Sequence, residues 1–234
     1  SHKRMKGLYE SLLDILFPKT CASCGADDSF FCEPCEKALH IFSPQCLICG
    51  SRNIDASVCL SCRRKTALSH FYAPFSYKDA GIRNAIHRLK YDRMKWYGPF
   101  LGSFIATGLS LYKVRIPKNA ILVPIPLHVS RSRKRGFNQS ELIAESVSKQ
   151  LGITLEKNIL VRTRETRSQV ELKNHEERLM NMSGAFSIER PELIFGKTLL
   201  LIDDVATSGA TLNEAALILK SAGARSVWGL TTAR

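Results

Sequence analysis

The stretch from Leu199 to Thr211 sets the tightest limit on what this chain can fold into. Leu199-Leu200-Leu201-Ile202 runs straight into Asp203-Asp204, followed by Val205-Ala206-Thr207-Ser208-Gly209-Ala210-Thr211. Four consecutive branched apolar residues leave no polar face. As a strand they must be covered on both sides, which is the situation of a strand inside a parallel sheet. The two carboxylates mark where that strand meets water at its C-terminal edge. A helix-forming run follows, Asn213 to Lys220, closed by Gly223. Strand, small polar loop and helix N-terminus together predict an anion cradle, because small side chains let backbone N–H groups approach a phosphate and the helix dipole favours negative charge there. Asp203 and Asp204 cannot hold phosphate themselves, but they accept hydrogen bonds from sugar hydroxyls beside it. The expected ligand is a sugar phosphate presenting a diol. Gly196-Lys197-Thr198 does not make a P-loop, since position 191 is Pro where the first glycine belongs and the triplet precedes a strand.

All eight cysteines lie between Cys21 and Cys62, in four C-x-x-C pairs: Cys21 and Cys24, Cys32 and Cys35, Cys46 and Cys49, Cys59 and Cys62. With no secretion signal and an enzyme-like region beside them, zinc accounts for them better than disulfides. A two-residue gap turns both thiolates toward one tetrahedral ion, and Gly25 and Gly50, just after a second cysteine, suit tight knuckles. The expectation is about two four-cysteine sites. Sequential pairing, with Cys21, Cys24, Cys32 and Cys35 in one site and Cys46, Cys49, Cys59 and Cys62 in the other, is favoured over a cross-braced arrangement that the spacing also allows. Sites filled by four thiolates leave no position for a substrate, so the metal is structural.

Before the cysteines, Leu8, Leu12, Ile15 and Leu16 share one helical face that Pro18 ends. After them, Phe71, Phe75 and Tyr77 suggest strand, and Ile82, Ala85, Ile86 and Leu89 give a helical face. The opposite side of that helix carries Arg83, Arg88 and Lys90, continued by Lys95 and Trp96. Cations with an aromatic nearby can bind single-stranded nucleic acid, through phosphate contacts and stacking, and can equally form a solvated face. Further on, Ile121-Leu122-Val123 reads as a buried strand broken at Pro124 and Pro126, followed by a basic loop containing Arg131, Arg133, Lys134 and Arg135. A helix is expected to start at Asn138, with Glu141 completing a capping-box pattern, and to end near Gly152. A short helix capped by Asn174 with Glu177 is expected later; His175-Glu176 lacks the second histidine of a zinc protease, position 179 being Leu.

The chain has 234 residues and a formal charge of +13. That length holds one ordinary domain and a small one, and no apolar run approaches the roughly 18 residues of a membrane-spanning helix. So large an excess of cations points to anionic partners: diphosphates, nucleic acid or a membrane surface.

The run from Leu199 to Thr211 resembles the signature of type I phosphoribosyltransferases, enzymes that use 5-phosphoribosyl-1-diphosphate (PRPP). The phrase Pro124-Ile125-Pro126-Leu127 with Arg131, Arg135-Gly136-Phe137-Asn138-Gln139, joined to the cysteine module, is similar to the competence protein F (ComF) family. The resemblance implies an α/β fold with a mainly parallel sheet of the type I phosphoribosyltransferase kind. It also implies a zinc-ribbon domain over residues 5–66 and a phosphoribosyltransferase-like domain over 67–234. Asp203 and Asp204 would hold the ribose and, with Arg167, form the catalytic set. Val205, Ala206, Thr207, Ser208, Gly209, Ala210 and Thr211 would wrap the 5′-phosphate. Pro126, Leu127, Arg131, Arg133 and Arg135 would contact the diphosphate, with Mg²⁺ bridging its oxygens. The interval around Arg167 would house a mobile loop. The implied biology is natural transformation: handling of incoming single-stranded DNA at the cytoplasmic side, peripheral to the inner face of the membrane, with a competence helicase-like partner of the ComFA type. DNA would be contacted by Arg83, Arg88, Lys90, Lys95, Trp96 and Arg131 to Arg135. The alternative is an enzyme transferring phosphoribosyl to an unknown acceptor.

Overall fold

In the computed structural model, residues 20–92, 94–165 and 180–234 are described. The amphipathic helix expected before Pro18, the Asn174 helix and Arg167 lie outside them. Strand β6, Thr198–Val205, runs through the middle of a five-stranded sheet. Its neighbours are β7, Ser226–Ala233, and β2, Ala120–Pro124; β1, His70–Tyr72, and β3, Thr154–Leu155, form the edges. Every pairing in this sheet is parallel. The apolar run behaves as its composition requires: Leu200 and Ile202 enter one core cluster and Leu199 and Leu201 the other. Successive side chains of a strand point to opposite faces, so an unbroken apolar run feeds two layers at once.

One layer is built on α2, Ala80–Tyr91, α3, Tyr97–Leu111, and α5, Gln139–Leu151, which bury Ile82, Ile86, Leu101, Ile105, Ile143 and Val147. The other is built on α6, Ala210–Ser221, with Leu212, Ala215 and Leu219, and on the two-stranded antiparallel pair β4, Leu160–Arg162, and β5, Phe186–Ile188. Asn138 caps α5 as expected, its Oδ1 accepting from Ser140 N–H at 3.0 Å, and Gly152 ends it at φ 66°. The basic loop after β2 is not a loop. Residues Val129–Arg135 form a short helix, α4, because the His128 side chain accepts the Ser130 N–H at the start and Gly136 closes it at φ 79°.

The cysteines form two repeats of one knuckle. Cys21 N–H donates to Ala26 O and Gly25 N–H to Cys21 O; Cys46 N–H donates to Ser51 O and Gly50 N–H to Cys46 O. Gly25 at φ 81° and Gly50 at φ 72° occupy the left-handed region that such a turn demands. The cysteines of the second half of each site come from α1, Glu33–Ala38, with Cys32 as its N-cap, and from a 3-10 helix, Leu60–Lys65, with Cys59 as its N-cap.

Candidate sugar-phosphate site and zinc sites

Cys21, Cys24, Cys32 and Cys35 form one cluster and Cys46, Cys49, Cys59 and Cys62 another, with all Sγ atoms of a cluster within 4.8 Å of one another. Cys24 and Cys32 Sγ are 3.5 Å apart, and Cys59 Sγ is 3.6 Å from both Cys46 and Cys49 Sγ. Zinc bonds sulfur at about 2.3 Å, which sets tetrahedral S···S edges of about 3.8 Å. The donor sets fit the ion, and the sequential pairing is the one adopted. These are structural zinc sites, each with four thiolate ligands.

A cavity of about 180 Å³ opens at the C-terminal ends of β2 and β6. Parallel strands with helices on both faces leave such a crevice where neighbouring connections diverge. Asp203 and Asp204 form its floor, and Val205, Ala206, Thr207, Gly209, Ala210 and Thr211 one wall. Ser208 is turned out of the lining and accepts the Ala210 N–H through Oγ at 3.3 Å. Gly209, at φ 75°, swings the chain into α6, whose first N–H, that of Ala210, is the one Ser208 accepts. The helix begins three residues earlier than composition alone indicates, and its first residues, Ala210 and Thr211, line the cavity, so the positive end of its dipole lies there.

Across the cavity stand Leu127, Arg131 and Arg135. Pro126 and Arg133 do not line it; for Arg133 the reason is the winding of α4, which aims Arg131 and Arg135, one turn apart, to the same side and Arg133 away. Burial lowers the Arg135 pKa from its usual value against the opposing attraction of Asp204.

Three residues of the site escape sequence reasoning. Lys90, expected on a DNA-binding face, stands with its Nζ 2.8 Å from Asp204 Oδ2. At this separation the two opposite charges attract each other directly. Burial opposes the Lys90 charge, but Asp204 outweighs it and the net shift is upward. A signal is present in the chain: Ile82, Ile86 and Lys90 are four residues apart, so Lys90 continues the apolar stripe and not the basic face. Arg162 of β4 enters the cavity from the same strand face as buried Leu160, with its guanidinium 5.6 Å from the Phe186 ring centre. Ser140 donates from Oγ to Asp203 Oδ1 at 3.0 Å, and the Asp204 N–H donates to the same oxygen at 2.9 Å. Burial, and then the neighbouring charge of Asp204, push the Asp203 carboxyl up to about 7.

The remaining expected DNA contacts are divided. Arg88 donates to Thr20 O at 2.6 Å and to Tyr97 Oη at 3.0 Å, and Trp96 stacks on Phe30 with centres 6.0 Å apart. Both are engaged with the first zinc knuckle. Arg83, Lys95, Arg133 and Lys134 are exposed, and Lys95 lies 5.4 Å from the Phe137 ring centre, just past α4. Tyr91, 62% exposed beside Arg135, is the aromatic that reaches solvent at the cavity mouth.

A double zinc ribbon joined to a cavity of this kind defines the class. Residues 12–63 match the double zinc ribbon domain family and residues 123–232 the phosphoribosyl transferase domain family. The chain is 32% identical over 205 residues to competence protein ComFC of Streptococcus pneumoniae, covering 86% of each chain. It is 29% identical over 217 residues to competence protein F of Haemophilus influenzae, covering 86% of this chain and 90% of the relative. It is 28% identical over 206 residues to DNA utilization protein YhgH of Escherichia coli, covering 84% and 86%. This protein belongs to the competence protein F (ComF) family. Among solved structures, the allosteric regulatory enzyme of purine biosynthesis is similar at 18% identity with a TM-score of 0.38, over 77% of this chain and 31% of that longer one.

Proposed function

We propose that this protein acts in natural transformation, handling incoming single-stranded DNA at the cytoplasmic side of the membrane, and that its cavity binds PRPP or a related sugar phosphate. The observation that carries the ligand reading is the cavity itself: two carboxylates and a helix start on one side and Arg131, Arg135 and Arg162 on the other. Carboxylates accept from hydroxyls, helix N–H groups donate to a monophosphate, and guanidiniums bind diphosphate through paired N–H groups. The competence names of the relatives support the biological role. No helix among the described residues is long and apolar enough to cross a membrane, and a peripheral association with a ComFA-type helicase partner belongs to the same reading, as does a division into zinc-ribbon and phosphoribosyltransferase-like units near residue 66.

DNA would be contacted by Arg83, Lys95, Arg133 and Lys134, with Tyr91 taking the stacking role that the sequence suggests for Trp96. Isothermal titration with PRPP, and fluorescence anisotropy with a labelled oligothymidylate across a salt series, test the two halves. Binding of both is expected, the DNA affinity falling with salt at a slope of about 0.7 per phosphate neutralised. Absence of DNA binding at low salt would sink the polymer half. The arginines opposite the acids also favour the second reading, an enzyme that transfers phosphoribosyl to an acceptor by neutralising a departing diphosphate. Diphosphate release from PRPP in the presence of bases or DNA decides between ligand and substrate. Mg²⁺ would accompany the diphosphate oxygens; the acidic pair does not fit a bare divalent ion, because Asp204 already faces the Lys90 ammonium.

A further inference from the structure

Lys90 reaches the cavity from α2, outside the matched segment 123–232, so the phosphoribosyl transferase match does not account for it. Its side chain is 21% exposed and that of Asp204 5%, with 2.8 Å between Nζ and Oδ2. Asp203 is committed as well, to the Ser140 hydroxyl and the Asp204 N–H. A hard divalent ion such as Mg²⁺ gives up its waters reluctantly and needs carboxylate oxygens whose charge is not already met. In this cavity four cations, Lys90, Arg131, Arg135 and Arg162, face two carboxylates. The resting field therefore attracts a phosphorylated anion and repels a bare metal ion.

We propose that Lys90 is the resident cation of the acidic pair: it keeps Asp204 a hydrogen-bond acceptor for sugar hydroxyls and keeps divalent metal off the pair until a phosphorylated ligand brings in negative charge. The part concerning hydroxyls rests on the sugar-phosphate reading. The exclusion of metal rests on the ion pair alone. Lys90 is thus a specificity-determining residue supplied by the helical layer, and it makes the order of events definite, with metal entering together with the diphosphate and not before it.

The test uses Mn²⁺ as a spin probe on the full zinc-bound chain, with free Mn²⁺ followed by electron paramagnetic resonance. The unaltered chain is expected to take up Mn²⁺ only when PRPP is added. Lys90→Met keeps most of the side-chain stem and removes the charge; it should raise Mn²⁺ affinity in the absence of PRPP about tenfold or more, given the weight of a unit charge at this distance. Adding Asp204→Asn to it should cancel the gain, which assigns the new metal to the pair, and Lys90→Arg should behave as the unaltered chain. The proposal is overturned if the unaltered chain binds Mn²⁺ alone as well as with PRPP, or if a folded Lys90→Met chain shows no gain. Should Lys90→Met fail to fold, Lys90→Gln, which keeps a polar end and removes the charge, takes its place with the same expected gain. If PRPP does not bind but Lys90→Met gains Mn²⁺, the sugar-phosphate reading fails and Lys90 keeps its role as metal excluder; if PRPP binds and the gain is missing, the reverse holds.

Discussion

The two zinc knuckles share their turn geometry and differ in what they hold. The first lies against the helical layer: Phe31 packs on Phe100 with centres 5.1 Å apart, Asn84 Nδ2 donates to Ala22 O at 3.1 Å, and Arg88 reaches Thr20. The second lies against the small-residue loop after β6, on the other face of the sheet. Arg234 donates to Cys46 O and to Leu47 O, each at 2.8 Å, and Asn213 of α6 accepts from Thr66 Oγ1 at 2.9 Å and from Ala67 N–H at 2.8 Å. A Cβ on Gly209 would sit 2.8 Å from Leu47 Cδ2. One local motif therefore braces two halves of a single cavity: the first knuckle steadies the helix that carries Lys90, and the second steadies the small-residue loop after β6. What a zinc turn does is decided by the surface it is pressed against, since its own geometry is the same in both places.

The strongest way to break this comparison is to remove the metal from one knuckle at a time. Structural zinc contributes about 10–16 kcal/mol of apparent binding energy in small modules, so Cys49→Ser should abolish the second site, about halve the zinc content in metal analysis, and reduce PRPP affinity by more than about tenfold. Cys24→Ser should halve the zinc in the same way but with a smaller loss of affinity, because the loop after β6 keeps its support. Equal losses from the two variants would make the division of labour wrong.

A glycine pair gives a finer comparison. Gly209→Ala meets both a left-handed φ of 75° and the Leu47 methyl, whereas Gly81→Ala meets only the Phe31 ring edge at 3.0 Å and the Ser23 side chain. The first is expected to cost about 1–3 kcal/mol, as overpacking and backbone strain do, with weakened PRPP binding. For the second, at a position of ordinary helical φ, a cost of about 1 kcal/mol or less is expected. Its affinity should not change. Thermal unfolding and titration calorimetry on the two variants measure both quantities. Arg234→Met comes next: loss of two charge-assisted hydrogen bonds should destabilise by about 1.5–3 kcal/mol and speed amide hydrogen exchange in residues 206–212, leaving α2 unaffected.

The smallest effect is one of pH. The Asp203 carboxyl rises from an ordinary 3.8 to about 7 in the folded chain. Between those values the native state keeps a proton that the unfolded chain has released, so this group makes stability fall as pH rises from about 4 to about 7 and has no further effect above that. Asp203→Asn should remove that part of the slope when its stability curve is subtracted from that of the unaltered chain. An unchanged difference curve would mean that Asp203 is ionised throughout.

Much of this arrangement is legible without the fold. C-x-x-C spacing and the glycine after each knuckle dictate metal geometry through a handful of bonds, and the unbroken Leu199 to Ile202 run announces a doubly covered strand because periodicity alone determines which faces are apolar. The caps at Asn138 and Gly152 are local in the same sense. The basic segment after β2 reads as a loop, against the helix it forms, because its capping rests on the His128 side chain, a weaker signal than Ser, Thr, Asp or Asn at that position.

Sequence by itself determined the zinc ligands, the central strand with its acidic pair, and the small-residue loop that follows, all of which depend on residues close together in the chain. Only the tertiary structure decided that the cysteines group sequentially, that Lys90 faces Asp204, that Ser140 bonds Asp203, that Arg162 joins the cavity, that Trp96 stacks inward while Tyr91 faces out, and that Leu47 abuts Gly209. These pairings join residues far apart in the chain. Their formation depends on how helices and knuckles pack across the sheet, and that packing is set by the sum of many weak apolar contacts whose partners no single stretch of sequence specifies.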